Sequence, residues 1–534
     1  MYSDKTAKQR YNDMTEYREH YLNRGRECSE LTLPALLPED GVNHTSDLYT
    51  PYQSVGARGV NNLASKLLLL LLPPNQPFFR LNVDGNTKEE MEQQPQIKTE
   101  IEKSLGKIER EVMSEIEQLA IRVPVFEALK HLVITGNTLV YMPKKNTMRV
   151  FPLSQYVCRR DPEGNLLEIV VKEIVSPLTF DEADREIILK NQDEVESTDT
   201  VELYTHVSLL PNKKFYVCQE ANGYKLPNSI GTYTQDNMPW QCLRMVRVDN
   251  EDYGRGYVEE YLGDLKSLEG LSQALVESAA ASSKVVFMVR PNSSTKKNEL
   301  STAGNGDIIT GSKDDVSTLQ VEKQYDLRVV AEAIQKFEER LSYAFLLNSA
   351  VQRNAERVTA EEIRYMANEL ETALGGVYSL LSQEFQLPLV RILMQRMSSK
   401  GSIPKLPKGT VRPTIITGVE ALGRGNDLQK LKEFTAEIGA IAQMNPEVVQ
   451  MLNLTDLIKR IATGHGIDTE GLIKSPEQLM QEQQAQQQQM QQAQLNQTMQ
   501  QAAPGVANKV VDMVAQQQEM NNGWSRWNQT RRNS

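Results

Sequence analysis

The pattern closest to a known chemical device is Gly306-Asp-Ile-Ile-Thr-Gly311-Ser312-Lys313. A phosphate-binding loop of the type G-x-x-x-x-G-K-[ST] puts Lys directly after the second Gly, and a magnesium-ligating hydroxyl after that. Here Ser and Lys are exchanged. Asp314 and Asp315 then place negative charge where phosphate would sit, and no long helical pattern begins there. Nucleotide binding is not expected on these grounds. Gly254-Arg-Gly256 is too short for a dinucleotide fingerprint, because position 259 is Glu; it reads as the entry to a helix after 256.

Other reactive types are dispersed. Cys28, Cys158, Cys218 and Cys242 show no C-x2-C spacing, and the five histidines include no His-x3-His pair. The cysteines read as thiols of a reducing compartment. H-E-x-x-H, G-x-S-x-G and EF-hand patterns are absent. Adjacent acids such as Glu338-Glu339 and Glu361-Glu362 point different ways on a helix. His131 lies among apolar helical residues and is expected to be a satisfied core residue. Cys158 has no histidine nearby in sequence to activate it. No catalytic, cofactor or metal site assembles from these residues, so the expectation is a protein that is not an enzyme.

Basic positions remain. The net charge is −11, so the surface as a whole would not attract nucleic acid. Local candidates are Arg353, Arg357 and Arg364 in and after a polar stretch, and Lys296, Lys297 and Lys313 in a Gly/Ser/Asn/Lys-rich segment. Each alone would serve solubility. In a closed ring, each becomes a ring of charge without making the monomer basic.

The elements that would position them follow from periodicity. Tyr11, Met14, Tyr17 and Tyr21 mark one face of a first helix. A second begins near Ser54, a candidate N-cap, carries Val60, Leu63, Leu67 and Leu71, and ends at Pro73-Pro74. Ile97, Ile101, Leu105, Ile108, Val112, Ile116 and Leu119 trace a long amphipathic helix. A shorter one over 125–135 ends at Gly136. From 138 to 249 short β-branched and aromatic runs alternate with turns at Asp161–Asn165, Pro211–Lys214 and Asn222-Gly223. Helix returns over 256–284. A mixed segment with strand-like ends follows, and then a second long helix with Leu327, Val330, Ile334, Phe337, Leu341 and Phe345. Thr359-Ala-Glu-Glu362 is a capping box opening a long helical segment, broken near Gly375-Gly376 and Pro388. Helices are expected over 427–443, 446–461 and 471–480, before a Gln-rich tail from 480 to 534. Hydrophobic residues make up 40% and charged residues 24%, as in ordinary globular chains. The N-terminus has no apolar signal region, and the run Leu67–Leu72 is too short to span a bilayer, so a cytosolic origin is expected. The fold class is α+β, mostly helical.

Several stretches resemble the portal, or head-to-tail connector, proteins of podovirus phages with short tails: TPYQSVGARGVNNLASKL (50–67), FEALKHLVITGN (126–137), QYVCRRD (155–161), YGRGYVEEYLGDLKSLEGL (253–271), LSYAFLLNSAVQRNAERVTAEEIRYMANELE (341–371) and GGVYSLLSQEFQLPLVR (375–391). The resemblance covers about 1–475, and the Gln-rich tail departs from it. It implies a portal fold arranged as a dodecameric ring around a DNA channel. It divides the chain into a wing (1–255), stem helix one (256–284), clip (285–325), stem helix two (326–347), tunnel loop (348–358), long kinked wing helix and return segment (359–424), crown helices (425–479) and mobile tail (480–534). Arg357, in an ERVT motif, is expected at the channel as a valve residue, with Arg353 and Arg364 as further channel candidates and Lys296, Lys297 and Lys313 as clip candidates. The implied partners are double-stranded DNA, the terminase motor, a tail adaptor, the scaffold and major capsid proteins, and internal core proteins at the crown. No cofactor and no membrane are implied. The expected location is the portal vertex of the virion, and the host cytoplasm during assembly. The alternative is another ring-shaped head–tail protein such as an adaptor.

Overall fold

The computed structural model describes residues 5–41, 46–74, 78–83, 95–144, 147–190, 199–282, 286–319, 324–347, 376–403, 413–417 and 424–444, with a few isolated positions besides. Two units, Met1–Gly423 and Arg424–Ser534, are each compact in themselves.

Helix α1 (Ala7–Glu30) opens with a capping box. The Thr6 hydroxyl accepts from Gln9 N at 3.2 Å, and the Gln9 side chain accepts from Thr6 N at 3.1 Å. Its buried stripe is Ala7, Tyr11, Met14, Arg18, Leu22, Gly25 and Cys28. The face expected through Tyr17 is corrected: Tyr17 is 63% exposed, and Arg18 takes the buried place. Arg18 is tolerated because its guanidinium donates to Tyr11 Oη (2.7 Å) and to the carbonyls of Ser154 (2.8 Å) and Tyr156 (3.3 Å). Helix α2 (Val55–Leu71) buries Val60, Leu63, Leu67 and Leu71 as expected. Ser54 occupies its N-cap position without a capping bond; Gln53 Oε1 accepts from Gly56 N at 2.9 Å instead.

Strand β1 (Phe79–Val83) precedes α3 (Pro95–Gln118), which buries Leu105, Ile108, Val112 and Ile116. Helix α4 (Arg122–Thr135) packs on α2 and stops at Gly136, φ +75°. A Cβ at Gly136 would lie 2.2 Å from the Arg255 carbonyl carbon, so a side chain is excluded by space as well as by φ. His131 on α4 is buried, and burial pulls its pKa down to about 4, leaving it neutral. Its Nδ1 has no hydrogen-bond partner, so the expectation of a satisfied core histidine is corrected on that atom.

The β-rich region forms two antiparallel sheets. β2 (Asn137–Tyr141) and β3 (Arg149–Phe151) join β10 (Trp240–Arg244) in the order β10-β2-β3. β4 (Tyr156–Arg160), β5 (Leu166–Val175), β6 (Val201–Leu209), β7 (Lys214–Ala221) and β8 (Tyr224–Lys225) follow one another across the second sheet, with β9 (Gly231–Thr234) also on β7. Asn222 and Gly223 turn the β7–β8 hairpin with φ of 48° and 76°, the mirror-image turn that suits strand twist. One departure from the expected all-strand run is α5 (Glu182–Lys190), whose Ile188 closes an apolar cluster with Val201, Leu203, Ala221 and Leu226. Alternation along β5 sends Ile169 and Val171 into the core shared with the smaller sheet, and Val170 against α1. Burial on both faces explains the near-continuous apolar run of this strand.

The helix expected over 256–284 is divided into α6 (Tyr257–Glu260) and α7 (Leu262–Ser282), because the chain tightens at Tyr261, whose N–H reaches Val258 O at 3.1 Å. Then come β11 (Val286–Val289), α8 (Lys297–Thr302), β12 (Val316–Leu319) and α9 (Gln324–Ala344). The break expected near Gly375-Gly376 and Pro388 is built from three parts. Gly376, φ +91°, precedes α10 (Val377–Leu381). A π-helical turn covers Ser382–Gln386. Pro388 follows as the second residue of α11 (Leu387–Lys400), so the wider π turn falls just where proline withholds its N–H from the helix. β13 (Pro413–Thr417) returns to pair with β1. The first unit's largest core gathers α2, α3, α4, the start of α7, the end of α9, α10 and α11. In the second unit, α12 (Arg424–Met444) is described; the helices expected over 446–461 and 471–480, and the Gln-rich tail, lie outside the described residues apart from isolated positions.

Candidate functional site

The segment most distinct in position is the antiparallel pair α7 and α9. Asp264 near the start of α7 pairs with Arg340 near the end of α9. β11 pairs antiparallel with β12, with Val286 opposite Leu319 and Val289 opposite Val316. The chain thus runs outward along α7, turns through a small module and returns along α9. Leu262, Leu265 and Leu268 on α7 and Leu341, Ala344 and Phe345 at the other root are buried. Beyond Glu269 on α7, and before Leu341 on α9, no described side chain is buried, and Val276 and Val329 are 54% and 66% exposed. With 21 residues, α7 is about 31 Å long. The pair is an arm: rooted in the core, open along its length.

Polar side chains fix the root. The Glu269 carboxylate, 6% exposed, accepts from Tyr49 Oη (2.6 Å), Tyr52 N (2.8 Å) and Gln53 N (3.3 Å). That bond, with burial, pushes the Tyr49 hydroxyl up to about 12. Lys266 pairs with Glu27 at 2.7 Å, and Tyr257 Oη donates to Ala344 O at 2.9 Å. On the α9 side, Asn62 Nδ2 donates to the carbonyls of Phe345 (2.9 Å) and Leu346 (3.0 Å), and Lys66 Nζ to Leu346 O at 3.1 Å. A cation on the last carbonyls also suits the helix dipole. Gly59 allows α2 this close: a Cβ there would stand 2.4 Å from Phe345 Cγ.

At the outer end, the predicted lysines sit on exposed backbone. Lys296 precedes α8 and pairs with Glu299 at 3.3 Å, while Lys297 begins α8. Lys313 opens a short turn with Asp314 and Asp315. The structure brings these two segments together, since Ser294 Oγ and Thr295 Oγ1 both donate to Asp315 Oδ2 at 3.1 Å. Acidic neighbours interleave with the lysines, so this is a mixed surface rather than a basic patch, and an exposed i,i+3 ion pair adds little stability. After Lys313 the chain enters strand β12, not a helix, so the Gly306–Lys313 loop has no helix N-terminus to offer a phosphate. Arg353, Arg357 and Arg364 lie outside the described residues.

Two buried charge networks escaped the sequence reading. Glu168 on β5, 2% exposed, receives Arg10 Nε (2.8 Å) and His206 Nε2 (2.8 Å). Burial pulls the His206 pKa down, but bonds to Cys218 and Glu168 outweigh it and lift it to about 9. The second joins Arg244 on β10 to Glu384 in the π turn, with Nε to Oε1 at 3.1 Å and Nη2 to Oε1 at 2.5 Å. A charged residue inside an apolar stripe, such as Glu269 beside Leu265 and Leu268 or Lys66 beside Leu63 and Leu67, was the available signal for the root contacts. The partners in both networks lie too far apart in sequence to be paired by spacing. Among the described residues, no cluster of three or more His, Cys, Asp or Glu could hold a metal, and no helix is long and apolar enough to cross a membrane.

Comparison with known proteins places this architecture. The profile of the family described as bacteriophage head to tail connecting protein matches residues 4–473. The portal protein of Escherichia phage T7 is 44% identical over 481 residues, which is 89% of each chain. The portal protein of Enterobacteria phage T3 is 43% identical over 479 residues, covering 88% of this chain and 89% of that one. A solved structure of the neck of an empty GTA particle aligns with 73% of this chain and 86% of its own, at 10% identity and a TM-score of 0.35. Matched along most of its length by the family profile and by relatives well above 30% identity, the chain belongs to the bacteriophage head to tail connecting protein family.

Proposed function

We propose that this chain is the portal subunit of a short-tailed phage: a structural, non-enzymatic component of the virion that connects head to tail. The observation that carries this reading is the 44% identity to a portal protein over 89% of both chains. In the finer reading, twelve copies form a ring around a channel at one capsid vertex. There they serve DNA packaging, genome retention, tail attachment and ejection. The terminase motor, a tail adaptor, the scaffold and major capsid proteins, and internal core proteins at the crown are the expected partners.

Within that ring the arm of α7 and α9 would be the stem, and the module carrying Lys296, Lys297 and Lys313 the clip. The wing would hold the two sheets, residues 348–358 would be the tunnel loop, and α12 would open the crown. The arm supports this reading as an antiparallel helix pair that leaves the core along α7 and returns to it along α9. A net charge of −11 per chain suits a conduit along which DNA slides, since strong phosphate neutralisation would hold the duplex in place. Arg357, with Arg353 and Arg364, is then the proposed grip.

Cryo-EM of the purified chain tests the assembly: a twelve-fold ring with a central channel is expected, while a monomer or a filament overturns the reading. Arg357→Ala tests the grip. Rings should still form, with altered packaging or genome retention; unchanged packaging and ejection would remove Arg357 from that role.

A further inference from the structure

The Gly306–Lys313 loop begins in a turn that exposes a labile amide. Asn305 and Gly306 are the central residues of a turn from Gly304 to Asp307, where Asp307 N donates to Gly304 O at 3.3 Å and Gly306 has φ +96°. Asp307 Oδ2 accepts from Gly304 N at 2.6 Å. Every residue from Ser301 to Gly311 is exposed. A Cβ on Gly306 would meet nothing within 4 Å, so the turn stands in open space. Among the described residues, no hydrogen bond holds the Asn305 side-chain amide. Asn222-Gly223 is the same pair in a different setting. Its hairpin is fixed by the pairing of Ala221 with Tyr224. Asn222 Nδ2 donates to Ile188 O at 3.2 Å, beside the apolar cluster of Ile188, Ala221 and Leu226.

We propose that Asn305 is a self-modification site: its amide is lost through a cyclic imide and becomes a carboxylate, while Asn222 is kept from the same reaction by its fold. In the first step the Gly306 backbone nitrogen attacks Asn305 Cγ. The N–Cγ bond forms and the Cγ–Nδ2 bond breaks. The proton of the Gly306 N–H leaves with Nδ2 as ammonia, and a five-membered imide closes. In the second, water adds to one imide carbonyl. Breaking the bond from nitrogen to Cγ gives aspartate, and breaking the bond from nitrogen to the Asn305 carbonyl carbon gives isoaspartate. One water enters and one ammonia leaves, with no change of oxidation state. Ring closure needs the backbone to rotate until the nitrogen faces Cγ. Gly306 carries no side chain to hinder that approach, and at Asn305 the rotation opens only an exposed turn. At Asn222 it must break the bond to Ile188 O and the hairpin pairing. The product adds one negative charge beside Asp307. The isoaspartyl form also lengthens the main chain by one carbon, so Asp307 no longer closes the turn on Gly304. The inference rests on the geometry of the two turns and does not depend on the portal reading.

The purified full-length chain is held at neutral pH, folded in one arm and unfolded in urea in the other, and sampled over time. Each sample is digested briefly with trypsin and mapped by mass spectrometry, with electron-transfer fragmentation to tell aspartate from isoaspartate. Peptide 298–313 reports Asn305 and carries Asn298, in helix α8 and followed by Glu, as an internal control. Peptide 215–225 reports Asn222. Asn305 should exchange its amide NH2 for OH as fast in the folded chain as in urea, giving both isomers, while Asn298 stays unchanged. Asn222 should react about tenfold slower folded than unfolded, the factor for one hydrogen bond that must break first. In Asn305→Gln, peptide 298–313 should keep its mass throughout. Retention of the Asn305 amide in the folded chain, or its loss about tenfold slower there than in urea, overturns the proposal. So does loss at Asn222 as fast as at Asn305 in the folded chain.

Discussion

The Glu168 network predicts that the larger sheet is stabilised by a bond that alkali removes. Arg10 and His206 converge on Glu168 between α1 and the sheet. Beside them Ala7 N donates to Glu220 Oε1 at 3.1 Å, Lys8 and Lys172 pair with Glu202, and Tyr11 meets Tyr204 edge-on at 5.7 Å. His206 moves from an ordinary 6.5 to about 9 in the folded chain. The groups that raise it, Cys218 on β7 and Glu168 on β5, lie in the same sheet, so the difference corresponds to about 3 kcal/mol favouring the folded sheet with His206 charged. A raised folded pKa contributes in full below the unfolded value and is lost as pH climbs through the folded one, so the contribution fades between about 6.5 and 9. Urea unfolding at the two ends of that window should show the stability falling by about 3 kcal/mol as pH rises. His206→Gln should abolish the pH dependence. If stability is equal at both ends of the window, or if the Gln variant keeps the same dependence, the His206–Glu168 bond does not hold the sheet.

Three further outcomes are expected. Gly59→Ala should destabilise the chain by about 1–3 kcal/mol through overpacking on Phe345, less about 1 kcal/mol of helix propensity, and a smaller residue at 345 should recover part of the loss in thermal melts; a Gly59→Ala chain more stable than wild type contradicts the close approach. Glu384→Ala leaves Arg244 buried without its carboxylate and should cost about 3–5 kcal/mol in denaturant unfolding, whereas an unchanged midpoint would show that the pair is dispensable. Glu269→Ala should cost about 1–3 kcal/mol and make Tyr49 and Tyr52 quicker targets for chymotrypsin, and equal cleavage rates would remove Glu269 as the holder of that segment.

Legibility followed the range of the interaction. The helices through Leu63 and Val112, the Asn222-Gly223 hairpin and the Gly136 stop are local and could be read from spacing and turn chemistry. Arg18 could not: a cation in a buried stripe looks like a misplaced surface residue until the Ser154 and Tyr156 carbonyls are brought to it by the fold. The same holds for Glu168 with His206 and for Arg244 with Glu384, whose partners are set by strand register and by a π turn that periodicity does not reveal. Helix α5 was hidden because its nine residues, with Ile188 its one buried side chain, leave a faint pattern. At the arm, the sequence spelled out two helices and a module between them; the contacts that seat the root on α2 and on Tyr49–Gln53 are tertiary.

The graded burial of that arm also sets an order of events. Opening costs little where side chains face water and more with each turn toward Leu268 and Leu341, so fraying starts at the hairpin and travels inward. A disturbance at the tip is spent turn by turn. It meets Asp264–Arg340 and the Glu269 contacts before it reaches the core, so the outer helix pair behaves as a sacrificial fuse for the fold behind it.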